Sequence, residues 1–412
     1  MLIEKIAAKF AAAVVVAAFA IGFAGCNEDP TLVGSSFLAD TVEVVPVAIS
    51  NQQVFTRVES IRSPLANSNS GALFVGKFGN TKAVTMIRPG YIPDSLFWLT
   101  AEDIVSAKFF IQPTRYALGD TLPDSEVKFH IHEVTKMWTV AITWDSIFTE
   151  NGTSDYFGPE IAQPVNETLA MQDTMDKFEF DISKDMIVRW FQLRPDTALP
   201  VINHGIALLP DEASNVINRF ENIQIGNSSR PGPYIRVVYN KTPEDKDTVW
   251  LRTGYANTIV NSVPPESAQL YVQGGITYRT RFYFDVGFIP KFSGIHKAEM
   301  VLHVDNDNTL YGNFGMDSVF IAQGYEDDDS EKAAFEYYGQ TDETRRIVTF
   351  PTISSAVESW NQTDGKGYIE IAPNGFFSQY WELDRTAFHG FEAADQDKWP
   401  RLRIIYSYLP NQ

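Results

Sequence analysis

The sequence says its main phrases twice, and this repetition constrains the fold more than any other feature. Leu73-Phe74-Val75-Gly76 is answered by Leu270-Tyr271-Val272-Gln273, and Tyr91-Ile92-Pro93 by Phe288-Ile289-Pro290 at the same displacement. The echo continues from Ala107-Lys108 to Ala298-Glu299, and from the Trp190 segment to the Trp360 segment. Each copy closes alike, with Pro233 to Tyr239 (PYIRVVY) against Pro400 to Tyr406 (PRLRIIY). Two tandem modules are expected, over residues 51–240 and 251–412, joined by a charged, proline-containing linker at 241–250.

Within each copy the hydrophobic period is two. Lys177 to Ile182 (KFEFDI) and Tyr234 to Tyr239 alternate or run apolar over strand lengths, separated by Asp, Asn, Gly and Pro clusters. One helix interrupts each copy. Met186, Ile187, Trp190 and Phe191 fall on one helical face behind Ser183 as N-cap, and Ile353, Val357 and Trp360 do so in the second copy. With 13% aromatics, 22 Pro and 26 Gly, the composition fits short strands joined by turns. The expected class is all-β, two β-sandwich, jelly-roll-like modules each carrying one short helix.

The amino-terminal segment reads as an address. Lys5 and Lys9 precede an uncharged run from Phe10 to Ala24, which is shorter than the roughly 20 residues needed to span a bilayer. The run stops at Ala24-Gly25-Cys26, where the only cysteine stands. This segment resembles a bacterial lipobox, with Phe23 where Leu is usual, so residues 1–25 are expected as a lipoprotein signal peptide and Cys26 as the lipidated residue. Several acyl chains hold a protein to a membrane essentially irreversibly. Asn27-Glu28-Asp29 resembles an export signal of surface lipoproteins, and the outer membrane or cell surface is the expected location. Residues 26–50 supply the lipidated cysteine, a tether and a first strand over Thr41 to Ile49, where Pro46 favours a sheet edge.

The order of elements in the first copy resembles the DNRLRE domain, a jelly-roll family similar to carbohydrate-binding modules. The residues that carry the resemblance are the strand opening at Ala107, then Val127 to Val134, Trp138 with Thr143-Trp144, the Trp190 helix, Asn203 to Leu208, Arg219-Phe220, and Arg230-Pro231 to Tyr239. The second copy keeps Trp360 and the closing strand but lacks the Thr-Trp pair, and the hexapeptide of the family's name occurs in neither. The resemblance implies non-catalytic polysaccharide binding or adhesion. A structural or assembly role in an envelope complex, using a free strand edge such as Thr41 to Ile49, is the competing expectation.

Charge narrows the partners. A formal net charge of -19 argues against nucleic acid and anionic lipid surfaces. No H-E-x-x-H, G-x-S-x-G or G-x-x-x-x-G-K occurs, and no enzyme activity is expected. His130 and His132, two apart on a strand, project to one face as a metal pair would, but no third ligand follows at a recognisable spacing, so they read as an ordinary polar strand face. Asp305 and Asp307 in the turn Asp305-Asn306-Asp307-Asn308 are candidate ligands of a structural Ca²⁺. Leu310 and Met316 stand where an EF-hand needs Gly and Glu, so a looser loop is meant. For a glycan, Trp98, Phe376, Phe377, Tyr380 and Trp381 are the candidate stacking residues, since the last four have no aromatic counterpart in the first copy.

Overall fold

The computed structural model describes residues 43–49, 54–62, 72–119, 126–163, 165–168, 177–192, 203–222, 232–263, 270–275, 278–316, 319–326, 333–373 and 382–409. Its strands pair antiparallel throughout, in two large sheets. The class is all-β, with few helices. Among the described residues no helix is long and apolar enough to cross a membrane.

The chain enters through β1 (Glu43–Ile49) and β2 (Phe55–Arg62). The first large sheet follows with β3 (Ala72–Phe78), β4 (Thr81–Pro89), β5 (Ile104–Ile111) and β6 (Pro113–Gly119). It continues with β7 (Glu126–Val134), β8 (Phe157–Glu160), β9 (Val165–Thr168) and β10 (Phe178–Asp181). β11 (Ile206–Pro210), β12 (Val216–Glu221), β13 (Tyr234–Thr242) and β14 (Asp245–Ser262) complete it. The second sheet holds β15 (Leu270–Gln273), β16 (Tyr278–Asp285), β17 (Gly294–His303), β18 (Val319–Tyr325) and β19 (Phe335–Thr341). β20 (Ile347–Phe350), β21 (Lys366–Pro373), β22 (Arg385–Phe388) and β23 (Arg401–Tyr408) close the chain.

β1 and β2 do not join the strands that follow them. β1 pairs with β23, Glu43 opposite Tyr408, and β2 pairs with β16, Val58 opposite Phe282. The expected modules therefore shift. Residues 55–62, placed by the sequence in the first module, lie in the second sheet, although strands β3–β14 separate them from the rest of that sheet along the chain. Val54 and Phe55 are buried in its core with Phe282, Phe284 and Trp360.

The expected linker is likewise strand. Asn240 to Thr242 and Asp245 onward form a β13–β14 hairpin, with Asn240 opposite Lys246. The Pro243-Glu244 pair that reads as a linker is its turn, because turn residues and linker residues are chemically the same. β14 then leaves β13 and pairs with β4, from Thr253 opposite Pro89 to Ser262 opposite Thr81. The crossover passes Gly254, whose added Cβ would stand 2.2 Å from the Cα of Gly90. Only glycine allows that approach.

Burial follows these layers. Along β13 every second residue is buried, and Val249 and Leu251 continue this inner face on β14. Beyond the crossover β14 is buried on both faces, because Trp138, Ile142 and Ile147 pack over Val84, Met86 and Ile259. The helices α1 (Trp144–Ile147), α2 (Lys184–Phe191) and α3 (Ser354–Gln362) are short. α2 buries Met186, Ile187, Trp190 and Phe191, with the Ser183 hydroxyl accepting from Met186 N at 3.3 Å. α3 packs Ile353, Val357 and Trp360 into the second core.

A third cluster joins the two sheets through Phe74, Tyr116 and Ile217 on one side and Tyr278 and Leu383 on the other. Tyr116 donates to Asp384 Oδ1 at 2.6 Å and accepts from Leu383 N at 2.8 Å. Ala117 and Asn313 exchange two further hydrogen bonds, at 2.9 and 3.0 Å. Burial pushes the Tyr116 hydroxyl well above the usual phenol range, with the Asp384 charge adding to it.

Candidate binding surface

The outward face of β10, β5, β13 and β14 carries a strip of aromatic rings. The ladders place Tyr234 between Phe110 and Arg252, and Arg236 between Lys108 and Trp250. These residues occupy the phase opposite to Phe109, Ile235, Val237 and Leu251 of the core, so period-two alternation brings them to one face, on which Phe110 is covered by its neighbours at 5% exposure. Phe110 and Tyr234 stack at 4.7 Å between centroids and 18° between planes. Tyr234 meets Trp250 at 5.3 Å and 55°. Trp250 is 50% exposed, at a strand position where a polar residue would serve solubility better.

Cations flank the rings. The Arg236 guanidinium lies 4.9 Å from the Phe110 centroid and 6.0 Å from that of Trp250, and Lys177 Nζ lies 5.5 Å from Tyr234. Such contacts contribute about 0.5–1 kcal/mol at exposed sites. Arg236 Nε is buried without a hydrogen-bond partner. Lys108, by contrast, is taken by Glu179 at 2.5 Å and Asp181 at 3.7 Å, forming an acidic border along β10. The hydrogen bond to Glu179 raises the Lys108 ammonium above its ordinary value against an opposing desolvation. Chemically the strip offers flat apolar faces for stacking and charged donors beside them.

The residues expected from the sequence stand elsewhere. Trp98 is 43% exposed and meets Tyr239 edge-on at 6.2 Å, apart from the strip. Phe376, Phe377, Tyr380 and Trp381 lie outside the described residues, as does Cys26. Trp190 and Trp360 are core, while Trp144 is only half-buried against Trp138, Ile142 and Ile147. The sequence reading passed over Trp250 because the segment around it read as linker; the signal was present in its alternation with Val249 and Leu251.

Asp305 and Asp307 line a cavity of about 400 Å³ with His303, His389, Arg346 and Lys398. The Asp305 carboxylate holds its own turn, accepting from Asp307 N at 3.2 Å and Asn308 Nδ2 at 2.7 Å. A calcium ion would have to displace these bonds beside two cationic side chains. Among the described residues no group of three or more His, Cys, Asp or Glu is arranged to hold a metal. Burial lowers the His303 imidazole, against the opposing hydrogen bond with the Lys398 backbone.

His130 and His132 do share a face, with ring centroids 6.3 Å apart. His130 is clamped by Glu160 at Nδ1 (2.9 Å) and Asp211 at Nε2 (3.0 Å), while His132 Nδ1 meets the Gly158 carbonyl at 2.9 Å. An imidazole held at both nitrogens has none free to coordinate a metal or move a proton.

A second aromatic group, Tyr283, Tyr325 and Tyr368, lies on the second sheet but is closed. Tyr325 and Tyr368 stack at 4.4 Å, and all three rings are buried. Glu370 is held by Arg279 at 2.5 Å and Arg281 at 2.7 Å beside them. Burial is the main cause pushing the Tyr368 hydroxyl up to about 12.

No family model matches the chain, and no curated protein matches it. Among solved structures, a candidate secreted protein of Parabacteroides distasonis is similar at 8% identity and a TM-score of 0.18, over 89% of this chain and 99% of its own. The Macrobrachium rosenbergii nodavirus gives 12% identity and a TM-score of 0.15, over 93% and 95%. Scores this low carry no argument about fold or function.

Proposed function

We propose that this protein is a non-catalytic, lipid-anchored bacterial surface protein, built of two jelly-roll-like modules, that binds polysaccharide at Trp250 and Tyr234, with the buried Phe110 ring supporting Tyr234 from below. The observation that carries this reading is the continuous run of rings across three neighbouring strands, ending at the half-exposed Trp250. Aromatic faces match the apolar C–H face of a pyranose, and the flanking donors meet its hydroxyls. The tandem reading is supported by matching ladders, β13 with β5 and β23 with β17.

Trp250→Ala is the direct test. Retention on a panel of soluble and insoluble polysaccharides should fall at least tenfold while the melting temperature stays within a degree or two, since the ring is half in water. Binding that survives both this change and Tyr234→Ala would move the site off this face, and the same panel run with Trp381→Ala would then examine the other candidate platform. The anchor has its own test: Cys26→Ala should shift the protein from the membrane to the soluble fraction. An unchanged distribution would rule lipidation out as the anchor.

One observation favours a role in envelope assembly instead. β1 ends its sheet, and among the described residues its outer edge pairs with nothing, which leaves donors and acceptors open to a strand from a partner. Absence of glycan binding together with co-purification of an envelope protein would favour this reading.

A further inference from the structure

We infer that the aromatic strip selects an acidic polysaccharide, a chain bearing uronate or sulfate groups, over a neutral one. The inference rests on the polysaccharide reading and adds the charge of the ligand. Its basis is a difference between the two sheets at one matching position. Arg403 and Arg236 each stand three residues after the proline that opens the closing strand, Pro400 and Pro233. On β23, Arg403 faces Glu299 on one side and Ala48 on the other. Its guanidinium is neutralised by Glu299 at 3.0 Å, and Lys297 holds the same carboxylate at 2.7 Å. On β13, Arg236 faces Lys108 where Glu299 would be and Trp250 where Ala48 would be. On that face the arginine thus meets a carboxylate and an alanine, not a ring. The other has rings and an arginine without its carboxylate.

Two more cations share that condition. Arg252, opposite Tyr234, and Lys177, over the same ring, have no carboxylate partner among the described residues. In a chain with a net charge of -19, three cations without a carboxylate partner among the described residues, gathered around Tyr234 and the exposed Trp250, form a local exception. Charges beyond about 10 Å are screened at ordinary ionic strength, so a bound ligand feels this cluster more than the net charge. The Arg236 guanidinium, which has no carboxylate partner among the described residues, gains more from an anionic oxygen than from a hydroxyl, because charge-assisted bonds are stronger. A nucleic acid would share the negative charge and the stacking. Its affinity, however, comes from many phosphate contacts along the backbone, and a short cluster on an acidic protein does not supply them.

The test uses the full-length protein in detergent with polygalacturonate, a neutral glucan of similar length and a single-stranded oligonucleotide, with affinities measured by calorimetry at about 0.1 M salt. Polygalacturonate should bind at least tenfold more tightly than the glucan. Arg236→Gln should remove most of that preference, the polygalacturonate affinity falling at least tenfold and the glucan affinity by much less. Lys108→Glu, which copies the pairing of the second sheet, should do the same. Arg403→Gln should change neither affinity and serves as the matched control for substitution on a strand face. Equal binding of the two glycans would overturn the charge selection and leave the polysaccharide reading standing. Oligonucleotide binding as tight as that of polygalacturonate would overturn it in favour of a nucleic-acid surface. Failure to bind either glycan would overturn both readings.

Discussion

His130 shows how one side chain can couple stability to acidity. Burial acts to lower its affinity for a proton, but the hydrogen bonds and charges of Glu160 and Asp211 outweigh this and raise it above 6.5. A raised value in the folded state means that the stabilisation is fully present below about pH 6.5 and is lost as pH rises through the folded value. Asp211 is held low by its bond from Ala213 N and by His130, so its contribution is present above the unfolded value and lost in acid. The cluster should therefore be most favourable between about pH 4 and 6.5. His130→Gln should lower stability by about 1 kcal/mol at pH 5.5 and by clearly less at pH 8.5. Melting curves of the two proteins at both pH values would show this; a gap that ignores pH would refute it. The polar-face reading of His130 and His132 was legible in the sequence, because alternation alone sets which residues share a face. The aromatic strip was not, because it depends on which strands become neighbours. Phe110, Tyr234 and Trp250 are distant in sequence except for the last two, and only ladder register brings them to one face.

At the scale of elements, local signals were read well and non-local pairings were not. α2 and α3 were legible from their 3.6-residue periodicity, and the Ser183 cap stands as expected. Pro46 marks an end strand, also as expected. What failed was the meaning of Asn240 to Trp250. Charge and proline announce a break in both a linker and a hairpin, and only the length of β14 separates them. Its 18 residues serve two neighbours in turn, bending where Gly254 meets Gly90. β1 and β2 supply the same two contacts to the second sheet, one to its closing strand and one to β16. Their sequences, EVVPVAI and FTRVESIR, have no visible likeness to β14, so the correspondence could emerge only from pairing.

Across the whole molecule the two sheets are joined by buried polar contacts as well as by apolar ones. Tyr116 reaches from β6 to the backbone of Leu383 and the carboxylate of Asp384, while Arg219 lies 5.4 Å from its ring and 5.8 Å from Phe314. Tyr116→Phe keeps the ring and removes the hydroxyl, leaving a buried N–H without its acceptor. A loss of about 1–3 kcal/mol is expected, read as a lower denaturation midpoint in urea. A midpoint equal to wild type would show that the joint does not depend on this bond.

The placement of β1 also sets an order of events at birth. A chain leaves the ribosome amino end first, so β3 to β14 have all their neighbours once Ser262 has emerged. β1 must wait for β23, because Glu43 and Tyr408 are partners. For that interval an apolar strand, VVPVAI, stands unpaired beside other nascent copies, and such edges recruit one another. Pro46 interrupts its row of donors at the middle. The same residue that suits β1 to the edge of a finished sheet thus guards it while the last strand is still being made.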